Sequence, residues 1–205
     1  VSMLTKSLRA DIGIMISASH NPYHDNGIKI FDRDGNKLND SIEIEIENLI
    51  SADLTQYLAK SADLGRVKRL EDTRGRYIEF VKNSFPRDKN LSSLKIVVDC
   101  ANGASYSMAP TIFRELGAKV VEIGVEPNGF NINENCGATH PQILRKKVVE
   151  EHADIGIHLN LTHRFKNTRG NRPLIYWLLL TQLGLVRRDW VLQRFLSQID
   201  LFVKY

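Results

Sequence analysis

The chain has 205 residues, 42% hydrophobic and 25% charged, with a net charge of +4. That length buries a real core and accommodates one large or two small domains, and the composition is that of an ordinary globular protein. Its two cysteines, Cys100 and Cys136, lie far apart and match neither zinc nor CxxC spacing, no apolar run is long enough to span a bilayer, and no repeat or low-complexity tract occurs.

The amino terminus lacks the basic-then-apolar pattern of a signal peptide, which with the sparse cysteines points to a reducing, cytoplasmic location. Residues 12–17 read as a buried strand and 28–32 as its neighbour. Between them runs Ser17-Ala18-Ser19-His20-Asn21-Pro22, then Tyr23-His24-Asp25-Asn26-Gly27. A serine hydroxyl needs a neighbouring base or a metal to act as a nucleophile. The adjacent His20 supplies an imidazole, the side-chain type that changes charge around neutral pH. Pro22 stiffens the loop, and Asn26-Gly27 reads as a tight turn returning the chain to Lys29, a compact positive charge suited to phosphate.

Asp32 to Asn36 looks like the start of a calcium loop, but Lys37 stands where an EF-hand needs glycine, so Asp34-Gly35 is read as a hairpin turn. Over 41–51 the isoleucines fit either a strand or a helix. Asp40 followed by Glu43 resembles a capping box, which favours the helix. Residues 52–70 are mixed. A helix is expected from Arg74 to Phe85, ended by Pro86, with a polar linker to Ser93. Lys95 to Asp99 reads as a buried strand, 106–116 as a helix closed by Gly117, and Lys119 to Ile123 as the next strand. That is a βαβ unit with a parallel sheet. Its turn is not GxGxxG, so a dinucleotide site has no support. A helix over 142–152 and a strand from Asp154 to Ile157 follow. The fold class is α/β.

The run Ala18-Ser19-His20-Asn21-Pro22 resembles the active-site serine loop of the α-D-phosphohexomutases. Two further stretches carry the likeness, Ile96 to Ala104 with its Asp99-Cys-Ala-Asn102-Gly103, and Gly124 to Pro141 with its Asn131-Ile-Asn133-Glu-Asn-Cys136-Gly137. The second of these resembles the glucosamine branch of the family. Taken by itself, it reads equally as a polar, asparagine-rich connection between a strand and a helix.

The resemblance implies interconversion of glucosamine 6-phosphate and glucosamine 1-phosphate through a phosphoserine and a bisphosphate, feeding cell-wall precursor synthesis. Ser19 would be the phosphocarrier and, through its phosphate, a ligand of Mg²⁺. His20 and Lys29 would assist at the transferring group, and the partner would be a small phosphosugar. A sister phosphomannomutase or phosphoglucomutase is the nearest rival. A non-catalytic remnant or phosphosugar-binding module is the rival of another class.

The family pattern supplies three aspartates for Mg²⁺ in an Asp-Gly-Asp-x-Asp-Arg loop directly after the strand ending at Ile157. Here the chain reads His158-Leu159-Asn160-Leu161-Thr162-His163, with no Asp or Glu between Asp154 and Asp189. Mg²⁺ takes oxygen ligands in octahedral geometry, and histidines suit zinc better. A two-histidine site at His158 and His163 is therefore not expected. Residues 158–205 hold eight Lys/Arg against two Asp/Glu and both tryptophans. The apolar run Leu174 to Leu180 could pack as a core helix or lie on a membrane surface. The scattered charges argue against nucleic acid.

The expected organisation is part of a first phosphohexomutase domain over 1–72, part of a second over 73–157, and an unmatched tail over 158–205 read as out-of-frame sequence. Two incomplete domains of a four-domain enzyme imply poor solubility and no turnover by this chain alone.

Overall fold

The computed structural model describes residues 1–159. These form two compact units, residues 1–17 with 27–77, and residues 18–26 with 78–159.

In the first unit a short helix α1 (Ser2–Ser7) precedes strand β1 (Ile12–Ser17), which pairs antiparallel with β2 (Gly27–Asp32). The register sets Ile14 opposite Ile30 and Met15 opposite Lys29. The reading of 12–17 as a buried strand is corrected. Ile12, Ile14 and Ile16 alternate onto one face and are 53%, 58% and 72% exposed, whereas Gly13 on the other face is buried against Thr5 of α1. After β2 the Asp32 carboxylate accepts the main-chain N–H groups of Asp34 and Asn36 at 2.9 and 2.8 Å, which closes the expected turn.

Helix α2 (Asp40–Ile50) settles the strand-or-helix ambiguity in favour of the helix. Its cap is Asn39, one residue before the expected Asp40. Asn39 is extended, and its Oδ1 accepts the Ile42 N–H at 3.0 Å. Glu43 does not turn back to close a capping box but pairs with Lys37 Nζ at 2.8 Å. Residues 52–72 contain only two three-residue 3₁₀ turns.

The boundary between the units falls within helix α3 (Thr73–Lys82). That helix stops three residues short of Phe85. Ser84 and Phe85 instead make tight bonds back to Val81 and Lys82 ahead of Pro86, which disfavours helical geometry before it.

The second unit is built on a parallel sheet of β3 (Lys95–Asp99), β4 (Lys119–Ile123) and β5 (Ile155–His158), in the order β4-β3-β5. Helix α4 (Ala109–Glu115) makes the expected crossover, starting three residues late because residues 101–108 are spent in successive turns. Helix α5 (Pro141–Glu150) carries proline at its first position, where the missing N–H costs nothing.

Strand alternation divides the core. Ile96, Val98 and Cys100 pack with Phe113, Ile155 and Ile157 on one face, and Val97 packs with Leu144 and Val148 of α5 on the other. Helices thus cover both faces of the sheet, as a parallel sheet requires. Gly156 admits α5 closely, since a Cβ there would lie 2.6 Å from a Val148 methyl. At one end of the sheet Lys95 Nζ bonds the Glu151 carboxylate at 2.9 Å, while its N–H donates to Asp154 Oδ2 at 2.7 Å. Among the described residues no helix is long and apolar enough to cross a membrane. His163 and the apolar run 174–180 lie outside the described residues, as does nearly all of the segment 158–205.

Candidate active site

The serine loop connects β1 to β2, and its residues 18–26 belong to the second unit. Ala18 is buried at 4% exposure and anchors the loop's start. Its carbonyl accepts the Asn21 N–H at 3.0 Å, and the Pro22 carbonyl accepts the Asp25 N–H at 3.0 Å. Two consecutive turns thus reverse the chain. The expected turn at Asn26-Gly27 is corrected: neither residue takes a positive φ, Gly27 already pairs with Ser17 as the first residue of β2, and Asn26 donates its side-chain amide to the Tyr23 carbonyl at 2.9 Å.

The loop residue in the left-handed region is Ser19, with φ of 63°. A non-glycine residue there carries local strain, and such strain concentrates where a side chain must be aimed. Ser19 Oγ lies 3.2 Å from His20 Nδ1. The imidazole can accept the hydroxyl proton in one protonation state and donate to an oxygen on Ser19 in the other. The structure therefore brings Ser19 and His20 together. Lys29 sits half-buried on β2 of the first unit, in register with Met15.

The second unit also holds a set of residues joined by both local and long-range hydrogen bonds. The Asp99 carboxylate, fully buried at the end of β3, accepts the Ala101 N–H at 2.8 Å and the Gly137 N–H at 2.7 Å. Burial pushes the Asp99 carboxyl up from its usual range, and the two N–H donors and nearby His158 oppose that shift. His158 is pushed down by burial, against the pull of Asp99. Its Nδ1 has no hydrogen-bond partner among the described residues. Asn102 Oδ1 accepts the Glu126 N–H at 3.1 Å while its amide reaches the Asn131 carbonyl at 3.3 Å. Gly137 has φ of 75°, and a Cβ there would lie 2.7 Å from that of Ala101. The sequence alone could not separate the stretch 124–140 from a polar connection. The available signal was its asparagines, since Asn133 and Asn135 both take left-handed φ, which asparagine tolerates.

Loop 124–140 also meets the serine loop directly. Asn133 Nδ2 donates to the carbonyls of Ser19 and Asn21, at 3.2 and 2.9 Å. The rings of Tyr23 and Phe130 meet edge-on, 5.2 Å apart.

Among the described residues no group of three or more His, Cys, Asp or Glu side chains could hold a metal ion. The one fully buried carboxylate among the described residues, Asp99, already has both oxygens engaged by N–H donors. Mg²⁺ needs several oxygen ligands in octahedral array. The described residues do not fit it.

Residues 1–56 match the family model for phosphoglucomutase/phosphomannomutase alpha/beta/alpha domain I, and residues 75–160 match that for domain II. Phosphoglucosamine mutases of Maricaulis maris and Agrobacterium fabrum are 58% and 61% identical over 160 residues, 78% of this chain. The chain spans 36% of the length of each of these curated relatives. Among solved structures, a putative phosphomannomutase from Thermus thermophilus superposes with a TM-score of 0.61 at 22% identity, over 77% of this chain and 36% of that one. A phosphoglucomutase/phosphomannomutase family protein from Burkholderia thailandensis superposes with a TM-score of 0.54 at 25% identity, over 73% and 31%.

Proposed function

The chain belongs to the phosphoglucomutase/phosphomannomutase family, and from that premise we propose that it carries the phosphoserine loop of a cytoplasmic phosphoglucosamine mutase. Ser19 is the phosphocarrier, and the substrate class is glucosamine phosphate. The observation that carries this reading is the contact of Ser19 Oγ with His20 Nδ1 at 3.2 Å, in a loop whose serine is held in the left-handed region.

The chemistry is an in-line displacement at phosphorus, which depends on positioning and charge more than on covalent assistance. In one direction a sugar hydroxyl attacks the phosphorus on Ser19. The bond between phosphorus and Oγ breaks, the sugar hydroxyl loses its proton to solvent, and Oγ takes one from the imidazolium of His20. In the other direction neutral His20 accepts the Ser19 proton as Oγ attacks a phosphate of the sugar bisphosphate, the bond between that phosphorus and the sugar oxygen breaks, and the sugar oxygen takes up a proton from solvent. Lys29 supplies positive charge to the transferring group, a role that the family resemblance implies.

The test is phosphopeptide mapping after incubation with glucosamine 1,6-bisphosphate. Phosphate is expected on Ser19 and on no residue of Ser19→Ala. Phosphate elsewhere, or undiminished labelling of the variant, would falsify the assignment. A second reading, a phosphosugar-binding module without turnover, is favoured by the absence of any Asp or Glu between Asp154 and Asp189. It predicts calorimetric binding of glucosamine 6-phosphate with Ser19 unlabelled. Sustained interconversion of the two monophosphates by the purified chain would overturn that second reading.

A further inference from the structure

The Asn133 side-chain nitrogen donates to two carbonyls of the serine loop, that of Ser19 at 3.2 Å and that of Asn21 at 2.9 Å. The flanking carbonyls of a turn containing a left-handed serine are thereby tied to one rigid, planar group. The opposite amide orientation would set an oxygen against two carbonyl oxygens, so the acceptors fix which way the side chain faces. Asn133 is itself anchored, since its N–H donates to the Ala101 carbonyl at 2.9 Å. Ala101 in turn is held by the buried Asp99. A continuous path runs from the end of β3 through Asn133 to the backbone on both sides of His20.

We propose that Asn133 is a positioning residue for phosphoryl transfer: its amide clamps the serine loop so that Ser19 keeps its left-handed conformation and Oγ stays within reach of His20. The inference rests on the reading of Ser19 as phosphocarrier. It adds that loop 124–140, which resembles the family's substrate-class segment, also sets the geometry of the nucleophile. Asn133 does not touch the reacting atoms. It acts through the Ser19 and Asn21 carbonyls.

The test loads phosphoserine at position 19 during translation, so that it does not depend on the chain's own transfer activity. The ³¹P resonance of phosphoserine 19 is recorded beside hydrogen exchange of the Asn21 amide. In the native sequence the resonance is expected away from that of a phosphoserine peptide spanning residues 16–24, with the Asn21 amide protected. Asn133→Asp keeps the shape and replaces the donor by a third acceptor. It should move the resonance to the peptide position and speed Asn21 exchange by at least about tenfold, the loss expected for one or two hydrogen bonds.

Asn133→Gly tolerates the left-handed φ of 60° without the amide and should do the same with the thermal melt nearly unchanged. Resonance and exchange both unmoved in the two variants would overturn the proposal. So would exchange of the Asn133 side-chain amide, in the native chain, as fast as that of a free asparagine. A positive result here with no labelling of Ser19 by bisphosphate would leave the clamp standing and remove the phosphocarrier reading.

Discussion

The Asp99 carboxylate holds the main chain of Gly137, 38 residues further on, through a buried hydrogen bond of 2.7 Å. Its second oxygen holds Ala101 at 2.8 Å, so one side chain joins the end of β3 to the loop that carries Asn133. Asp99→Ala leaves two buried N–H groups without acceptors and should destabilise the second unit by about 2–4 kcal/mol in denaturant unfolding. Asp99→Asn retains one accepting oxygen and should cost about half as much. Equal stability of all three proteins would remove Asp99 from this role.

Leu144 lies fully buried between α5 and the sheet, against Val97 and Val148. Truncation to alanine opens a cavity that the close approach of α5 at Gly156 cannot fill by collapse. Leu144→Ala should lower stability by about 2–5 kcal/mol, read from the same unfolding curves.

Cys100 and Cys136 are both buried, and burial pushes their thiols up to about 12 and about 11. The thiolate is the reactive form. At pH 8 native alkylation by iodoacetamide should run at least about a hundredfold slower than in denaturant, with Cys136 reacting before Cys100. Fast stoichiometric labelling of the folded chain would contradict this burial.

Glu151 is drawn down to about 2, first by its hydrogen bond from Lys147 and then by Lys95. Its folded value lies below its unfolded one, so the ionised form contributes stability that is fully present above about pH 4.3 and is lost as pH falls toward 2. Glu151→Gln should melt at a lower temperature than the native chain at pH 7. The gap should close as the acid limit is approached. A gap that is constant with pH would mean that the carboxylate's charge is not what matters.

Much of this organisation is legible in the chain itself. The βαβ unit could be read from Lys95 to Ile123 because its strands are short and rich in isoleucine and valine and its helix is closed by a glycine. The serine loop could be read because Ala18 to Pro22 are contiguous, and contiguous residues need no fold to bring them together. Local competition explains the near misses. Asn39 took the cap from Asp40 because its side chain, one residue earlier, reaches the Ile42 N–H. Ser19, rather than Asn26 or Gly27, took the left-handed position because the turns close at Ala18 and Pro22.

What the sequence determined by itself is therefore short-range: strand and helix periods, the Ser19-His20 pair, and the lack of acidic residues between Asp154 and Asp189. The tertiary structure alone decided which distant groups meet. Asn133 reaches carbonyls 112 and 114 residues away, and Asp99 reaches Gly137. A hydrogen bond acts over about 3 Å and leaves no periodic trace along the chain. Its partners become definite only once the sheet, α4 and α5 have fixed the places of the loops between them.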